Sequence, residues 1–242
     1  MEQFHILEIS NLWMSNMGRK KHLSLKLIPH QTRKPESKIP KKIYLIACEG
    51  QCTEPNYIRG LVNHQKKIGK IATGTEIKFA QHSHSDPSGV LQDLLKTPNV
   101  ESFDELWIVI DRDEIEPKGK GFGGHSNENF TEALTECKNK NVNVACSNPC
   151  FEFWIILHFE YRDTACTRDE IQKKALERVN TLLPKENQIK KVDKLKTIDN
   201  LYDLLKDKID FAMNNAKKLK NNESENKNPS SGMFKLLASL YE

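Results

Sequence analysis

Residues 42–50 are Lys-Ile-Tyr-Leu-Ile-Ala-Cys-Glu-Gly, an apolar run that follows a basic residue and ends on a carboxylate and a glycine. Apolar runs of this length, rich in Ile, Leu and aromatic residues, are typical of buried strands in a parallel sheet. Open α/β sheets bind their ligands at the carboxyl ends of such strands. Glu49 therefore either meets solvent at a strand end or forms part of a binding site.

A second run of the same kind lies at residues 106–114 and is Leu-Trp-Ile-Val-Ile-Asp-Arg-Asp-Glu. Because parallel strands present the same ends at one edge of a sheet, we expect Glu49, Asp111 and Asp113 to cluster there. The Asp-x-Asp spacing places both aspartates on one side of an extended segment, since side chains alternate along it. Carboxylates this close repel one another unless a cation joins them. The sequence thus predicts a site for Mg²⁺ or Mn²⁺.

Strand-like and helix-like segments alternate as far as residue 159. Two further strands are predicted at 75–80 and 142–146, and the helix after the first strand is expected to begin with Thr53 as its cap. Such alternation predicts an α/β fold in which a four-stranded, mainly parallel sheet is flanked by helices. A helical addition follows this sheet.

The character of the chain changes after residue 162, where long charged helices are predicted over 168–182 and 195–221. The second helix carries an apolar stripe formed by Leu201, Leu204, Leu205 and Ile209. Such a stripe must be buried on the α/β domain or on a partner. We therefore predict three regions: a flexible basic arm (1–41), an α/β domain (42–162) and a helical C-terminal region (163–242).

Composition limits the function classes without choosing among them. The chain has 242 residues, a net charge of +4 and no apolar run near the roughly 20 residues that cross a membrane. Residues 1–16 lack the basic start of a secretory signal and are not expected to belong to the fold, because Met17 would be a natural start. The six cysteines are accordingly expected in a reducing cytoplasm, and two C-x3-C pairs, 48–52 and 146–150, leave a zinc site open.

The arm is either a solvated linker or a contact for nucleic acid. The charged residues for which we predict that contact are Arg19, Lys20, Lys21, Lys41 and Lys42. A glycine-rich segment at 115–129 lacks the Lys-Ser/Thr ending of a phosphate-binding loop, which disfavours a nucleotide-handling phosphotransferase.

The order of the motifs resembles the Toprim domain of topoisomerases, primases and OLD-type nucleases: Glu-Gly at 49–50, then Asp-x-Asp at 111–113. The chain resembles the RloB-like family more closely, from about residue 18 to the final helix. The strings that carry this resemblance are Cys-Glu-Gly at 48–50, Thr-Glu-Pro-Asn-Tyr at 53–57, Asp-Arg-Asp at 111–113, Ser-Asn-Pro-Cys-Phe-Glu at 147–152, Leu-His-Phe at 157–159 and Asn-Pro-Ser-Ser-Gly at 228–232.

The resemblance implies a set of metal ligands and a catalytic lysine. The ligands that it implies are Glu49, Glu54, Asp111, Asp113, Ser147 and Glu152. Glu49 would act as a ligand or as a general base, and the lysine near the transition state would be Lys191 or Lys194. Glu54 and Glu152 have a second interpretation, as carboxylates that stabilise the amino ends of helices.

The resemblance also implies partners and an activity. RloB-like proteins are bacterial and are encoded beside an AAA/ABC-type ATPase, RloA, in pairs that resemble abortive-infection systems against phage. A metal-dependent nuclease that cleaves RNA, including tRNA, or DNA is therefore expected. The alternative is a non-catalytic adaptor that docks on the ATPase and binds a structural ion. The apolar stripe could also pair two copies of the chain in a homodimer.

Overall fold

The computed structural model describes residues 42–113, 126–219 and 227–242, all within the unit Ile39–Glu242. These residues form a five-stranded sheet in the order β2-β1-β3-β4-β5. Its strands are β1 (Ile43–Cys48), β2 (Glu76–Phe79), β3 (Glu105–Asp111), β4 (Asn143–Asn148) and β5 (Ser230–Ser231). Strands β1 to β4 are parallel, and β5 pairs with β4 in the antiparallel sense. The predicted α/β fold is confirmed, with a two-residue fifth strand added to the predicted four.

Helices cover both faces of this sheet. The described helices are α1 (Thr53–Lys67), α2 (Pro87–Leu95), α3 (Asn127–Asn139), α4 (Glu152–Leu157), α5 (Arg168–Asn180), α6 (Val192–Lys196), α7 (Leu201–Leu205), α8 (Ile209–Leu219) and α9 (Met233–Leu240). Among the described residues, no helix combines the length and the apolar composition that crossing a bilayer requires.

The alternation of side chains along the strands divides the core into two layers. Tyr44 and Ile46 of β1 point to a large cluster that includes residues of α1, α4 and α5 to α9. Leu45 and Ala47 point to the other face, where they pack with apolar residues of α2 and α3. Because both faces are covered, the central strands are apolar along their whole length and end in polar residues only at the edges.

The helices after residue 162 pack on the same large core as the sheet. Leu201 and Leu205 of the predicted stripe are fully buried there, and each such side chain contributes about 1.5–3 kcal/mol when taken out of water. Tyr202 stacks edge-on against Tyr57 of α1, with ring centroids 5.4 Å apart. The stripe is therefore buried on the α/β domain. The domain boundary at residue 162 stays a prediction.

Two local predictions were wrong. The single helix over 195–221 is divided into α6, α7 and α8, because the segment 197–200 between the first two leaves the helical conformation. Thr53 does not cap α1: Cys52 holds the cap position, and the Thr53 hydroxyl donates instead to the carbonyl of Lys196, 2.8 Å away. This hydrogen bond fastens the end of α6 to the start of α1.

Candidate active site

A cavity of about 250 Å³ opens at the carboxyl edge of the parallel strands. It is lined by Glu49, Gly50, Thr53, Glu54, Ser85, Asp111, Asp113, Phe151, Glu152, Arg168 and Lys196. The carboxylates come from the ends of β1 and β3 and from the first turns of α1 and α4. The two cations come from α5 and α6 in the C-terminal region. Five carboxylates and two cationic side chains therefore share one cavity.

Strand pairing brings Glu49 and Asp111 together. Strands β1 and β3 are neighbours, and the amide of Glu49 continues their ladder by donating to the carbonyl of Val109 at 2.9 Å. The amide of Asp111 in turn donates to Oε2 of Glu49 at 3.0 Å. This bond fixes the Glu49 carboxylate at the strand end, because an ionised carboxylate is a strong acceptor for a backbone amide.

Asp113 is held by the backbone that follows β3. The amide of Arg112 donates to the carbonyl of Ser147 at 2.7 Å, and that of Asp113 donates to Pro149 at 3.1 Å. Asp113 has a φ of 48°, in the left-handed region, which costs a residue other than glycine roughly 1 kcal/mol or more. Its side chain is only 6% exposed. The chain thus turns sharply to bury this carboxylate beside Asp111.

Glu54 and Glu152 approach the cavity from two helices. Both are buried, Glu54 at 6% exposure and Glu152 at 3%. Oε2 of Glu54 has no hydrogen-bond partner among the described residues. Gly50 makes room for this carboxylate, since a Cβ at position 50 would lie 1.9 Å from the same oxygen. A buried carboxylate oxygen without a partner is uncommon and indicates a missing donor or cation.

Arg168 and Lys196 supply the positive charge. Arg168 begins α5, and its guanidinium pairs with Asp113 through Nη1 and with Asp111 through Nη2, the latter at 3.6 Å from Oδ2. The terminal amide of Gln172 lies 3.2 Å from both Nε of Arg168 and Nζ of Lys196. With its oxygen turned to that position, the amide accepts from both cations, and the same atom lies 3.4 Å from Oε1 of Glu152. Gln172 thereby holds both cations at the cavity wall.

Burial and mutual repulsion shift the pKa values of the acids. Burial, together with repulsion from the carboxylates of Glu152 and Glu49, raises the pKa of Glu54 to about 7, while a backbone hydrogen bond and Lys196 act in the opposite direction. Burial, followed by repulsion from the other carboxylates, also raises the pKa of Asp111 well above its usual range, although Arg168 acts in the opposite direction. Burial tends to lower the pKa of Arg168, but Asp111 and Asp113 outweigh it and raise that pKa. The five carboxylates of the cavity therefore carry more negative charge than Arg168 and Lys196 neutralise.

The family model of the RloB-like protein matches residues 44–240, which is most of the chain. The chain belongs to the RloB-like protein family. This match spans β1 to α9 and so includes each residue that lines the cavity. No curated protein and no solved structure matches the chain.

Of the metal ligands predicted for this RloB-like chain, the structure brings all but one into the cavity. Ser147 lies at the end of β4 beside Asp111 but does not line the cavity; its hydroxyl is 3.3 Å from that of Ser231 in β5. The fifth strand, which the sequence reasoning missed, therefore engages this hydroxyl. Whether any of these residues binds metal stays a prediction.

The predicted lysines lie elsewhere. Lys191 and Lys194 are exposed, and of the lysines described in and beside α6 only Lys196 lines the cavity. On a helix, Lys196 points in a different direction from Lys194 because two positions are about 200° of turn. Arg168 was also missed. The Thr167-x-x-Glu170 capping box, which is present in the structure, is a sequence signal that places Arg168 at the start of its helix.

The basic arm contributes one described residue, Lys42. It lies at the amino end of β1, the end opposite Glu49, with its Nζ 4.0 Å from carboxylate oxygens of Glu105 and Glu242. Six residues of strand separate it from the cavity edge, a distance of about 20 Å. Arg19, Lys20, Lys21 and Lys41 lie outside the described residues. Lys42 therefore does not contact the acidic cavity.

The donor set of the cavity fits a hard divalent cation. Mg²⁺ and Mn²⁺ prefer carboxylate oxygens, and the unpartnered Oε2 of Glu54 is such a donor. In the part of the chain that the structure describes, however, no three His, Cys, Asp or Glu side chains converge as metal ligands, and no four-cysteine zinc cluster forms. Two of the cavity carboxylates, Asp111 and Asp113, are instead paired with Arg168.

We expect Glu54→Gln to stabilise the EDTA-treated protein at about pH 8 by roughly 1–3 kcal/mol, and to have little effect at about pH 5. The folded pKa of about 7 exceeds the usual 4.5, so the folded chain binds this proton more tightly than the unfolded chain. Protonation of Glu54 therefore stabilises the folded chain. This stabilisation is fully present below the pKa that Glu54 has in the unfolded chain, and it is lost as the pH rises through about 7. Urea unfolding at both pH values measures the difference.

Glu136→Gln is the matched control, because Glu136 is half-exposed and pairs only with Lys140 at 3.8 Å among the described residues. It should change the free energy of unfolding by less than about 0.5 kcal/mol at either pH. Equal stability of wild type and Glu54→Gln at both pH values would contradict the raised pKa.

We expect Gly50→Ala to lower Mn²⁺ affinity about tenfold while changing stability by less than about 1 kcal/mol. The three atoms nearest to the new Cβ belong to the end of the flexible Glu54 side chain, so the fold adapts by moving that carboxylate.

Gly232→Ala is the contrasting variant, because its Cβ would lie 2.7 Å from the backbone nitrogen of Cys146. It should destabilise the fold by about 1–3 kcal/mol. Calorimetric titration with Mn²⁺ and thermal unfolding separate the two effects; unchanged Mn²⁺ affinity in Gly50→Ala would exclude Glu54 as a ligand.

Proposed function

We propose that this RloB-like protein is a metal-dependent nuclease, the effector of an anti-phage ATPase–Toprim pair that acts in the cytoplasm by hydrolysing phosphodiester bonds of RNA or DNA. The observation that carries this proposal is the cavity in which five carboxylates and two cations meet at the carboxyl edge of a parallel sheet. Clusters of buried, mutually perturbed acids are typical of functional sites. Their combination with a lysine and an arginine suits a phosphate substrate.

The carboxylates divide into two groups by position. Glu49, Asp111 and Asp113 come from strand ends and would hold a first cation, while Glu54 and Glu152 come from helix starts and would hold a second. Mg²⁺ or Mn²⁺ bound there would bind a phosphate oxygen and lower the pKa of a bound water. Cation binding would also relieve the repulsion that raises the pKa of Asp111.

Two side chains have proposed roles in the hydrolysis itself. Glu49 accepts the Asp111 amide through Oε2, so its carboxylate is held in place to take the proton of the attacking water. Lys196 faces the same cavity and would stabilise the negative charge that develops on the phosphate. Lys196 takes the role that the sequence reasoning gave to Lys191 or Lys194.

The proposed substrate is a polynucleotide, and the proposed partner is an ATPase. A polynucleotide would extend beyond the cavity and be followed by lysines of the C-terminal region and of the basic arm. The partner is an RloA-type ATPase, which would restrain the nuclease until infection, and a second copy of the chain would be a further partner.

One observation favours a second candidate function. Arg168 already neutralises part of the charge on Asp111 and Asp113, as it would if these carboxylates served only to form ion pairs within the fold. In that case the protein would be a non-catalytic adaptor that docks on the ATPase. The adaptor and the nuclease differ in whether phosphodiester bonds are cut.

A cleavage assay decides between them. The full chain, alone and with the adjacent-gene ATPase, is incubated with tRNA, single-stranded DNA and plasmid in EDTA, Mg²⁺ and Mn²⁺. The nuclease hypothesis expects cleavage of at least one substrate with a divalent cation and none in EDTA. Cleavage that persists in EDTA would contradict metal dependence, and intact substrates in every condition would favour the adaptor.

A further inference from the structure

Arg168 occupies an unusual position for an arginine beside a candidate metal site. It is the first residue of α5, whose start is fixed by the capping box of Thr167 and Glu170. From there the guanidinium reaches both aspartates of the Asp-x-Asp motif, Asp113 through Nη1 and Asp111 through Nη2. The Arg168 guanidinium thus contacts carboxylate oxygens of the kind that bind a divalent cation.

These two uses of the aspartates oppose each other. The guanidinium contacts one oxygen of each carboxylate, Oδ1 of Asp113 and Oδ2 of Asp111, and a cation held by the same two carboxylates would repel it. An arginine keeps its charge at any pH at which a protein is folded, so it cannot relieve this repulsion by losing a proton. Cation binding therefore favours movement of the guanidinium away from the aspartates.

The surroundings of Arg168 indicate where it would go. Its side chain is 35% exposed and lines the cavity, so solvent-filled space lies on one side of it. Nε contacts the Gln172 amide at 3.2 Å, and Lys196 contacts the same amide at the same distance. The released fork would remain next to the lysine and face the cavity. Two parallel N–H donors on a planar fork match two oxygens of a phosphate group.

We propose that Arg168 exchanges partners: it pairs with Asp111 and Asp113 until a divalent cation binds them, and then binds the substrate phosphate. The exchange rests on the proposed function: its first step takes from it the divalent cation, and its second step takes from it the phosphate substrate. Glu54 supplies an independent observation, because its buried Oε2 points into the cavity without a partner among the described residues. Arg168 would therefore link metal loading to substrate binding.

The first step is tested by metal affinity. Calorimetric titration of the full chain with Mn²⁺ compares wild type with Arg168→Met, which removes the charge, and Arg168→Lys, which keeps the charge without the fork. Arg178→Met is the matched control, because Arg178 lies on the same helix and pairs with Glu160 at 2.6 Å. We expect Arg168→Met to bind Mn²⁺ roughly three- to tenfold more tightly than wild type, since it loses a competing ion pair. The Mn²⁺ affinity of Arg168→Lys should lie between those of wild type and Arg168→Met, and the Mn²⁺ affinity of Arg178→Met should equal that of wild type.

The second step is tested by substrate affinity. Fluorescence anisotropy measures binding of a labelled single-stranded oligonucleotide with ordinary phosphodiester linkages, in Ca²⁺ and in EDTA. Arg168→Met should weaken binding about tenfold in Ca²⁺ and leave it unchanged in EDTA, where the wild-type arginine is still paired with the aspartates. Arg178→Met should bind as wild type does in both conditions. Thermal unfolding confirms that each variant is folded.

The outcomes separate this inference from the proposed function. Unchanged or weaker Mn²⁺ binding by both Arg168 variants would overturn the exchange even if wild type cleaves nucleic acid. Equal oligonucleotide binding by wild type and Arg168→Met in Ca²⁺ would overturn the second step. Tighter Mn²⁺ binding by Arg168→Met together with no cleavage by wild type would support the first step and overturn the nuclease function. Absence of Mn²⁺ binding in every variant would overturn both.

Discussion

Replacing Asp111 by asparagine is expected to lower metal-dependent phosphodiester cleavage by roughly 10³-fold or more, because a lost metal ligand removes several kcal/mol of transition-state stabilisation. The same change should not destabilise the EDTA-treated protein at about pH 8. Burial and repulsion raise the pKa of Asp111, so its ionised form is unfavourable in the folded chain. Cleavage rates in Mg²⁺ or Mn²⁺ and thermal unfolding in EDTA measure the two effects.

The control for this variant is Asp210→Asn. Asp210 is exposed and pairs with Lys70 at 3.0 Å on the surface of α8, so its loss should alter neither rate nor stability by a measurable amount. A large loss of stability in EDTA for Asp111→Asn would mean that the carboxylate is structural. A wild-type cleavage rate for Asp111→Asn would remove Asp111 from the catalytic site.

Lys196→Met is expected to lower the cleavage rate about 10²-fold at saturating metal and substrate, because its ammonium group no longer opposes the charge that develops on the phosphate. Mn²⁺ affinity should not fall, since Lys196 is a cation beside the carboxylates rather than a ligand. Single-turnover cleavage and calorimetric titration with Mn²⁺ separate the two quantities.

The double variant Lys191→Met, Lys194→Met is the matched control on the same short segment. Both lysines are exposed and neither lines the cavity, within the part of the chain that the structure describes, so the double variant should cleave at the wild-type rate. If the double variant loses cleavage activity and Lys196→Met keeps it, the catalytic lysine is Lys191 or Lys194, as predicted from the sequence, and Lys196 has no role in the mechanism.

The strand ends could be predicted from sequence because two constraints act on them together. An apolar run buried on both faces identifies a parallel strand, and parallel strands share an edge. Glu49 and Asp111 were therefore expected at the same edge, and the adjacency of β1 and β3, which the structure adds, gives the 3.0 Å bond between the Asp111 amide and Glu49. The positions of Glu54 and Glu152 near strand ends followed from the order of strands and helices, but their roles as ligands followed from the family resemblance, since a carboxylate in a first turn is common without any site.

The two cations could not be placed by the same reasoning. Arg168 and Lys196 lie far along the chain from the strands, and their positions depend on how α5 and α6 pack on the core. Local patterns give the start of a helix but not its direction in space. Lys194 and Lys196 both lie on α6, and only Lys196 lines the cavity. The fifth strand was missed because two residues carry no periodic pattern.

The central claim, that the acidic cavity holds divalent cations in exchange for Arg168, is tested most directly by anomalous diffraction from crystals of the full chain soaked in Mn²⁺. We expect an anomalous peak within ligand distance of Glu49, Asp111 and Asp113, with the Arg168 guanidinium withdrawn from both aspartates. A map without a peak in the cavity, or with Arg168 still paired to Asp111 and Asp113 beside a bound ion, would contradict it.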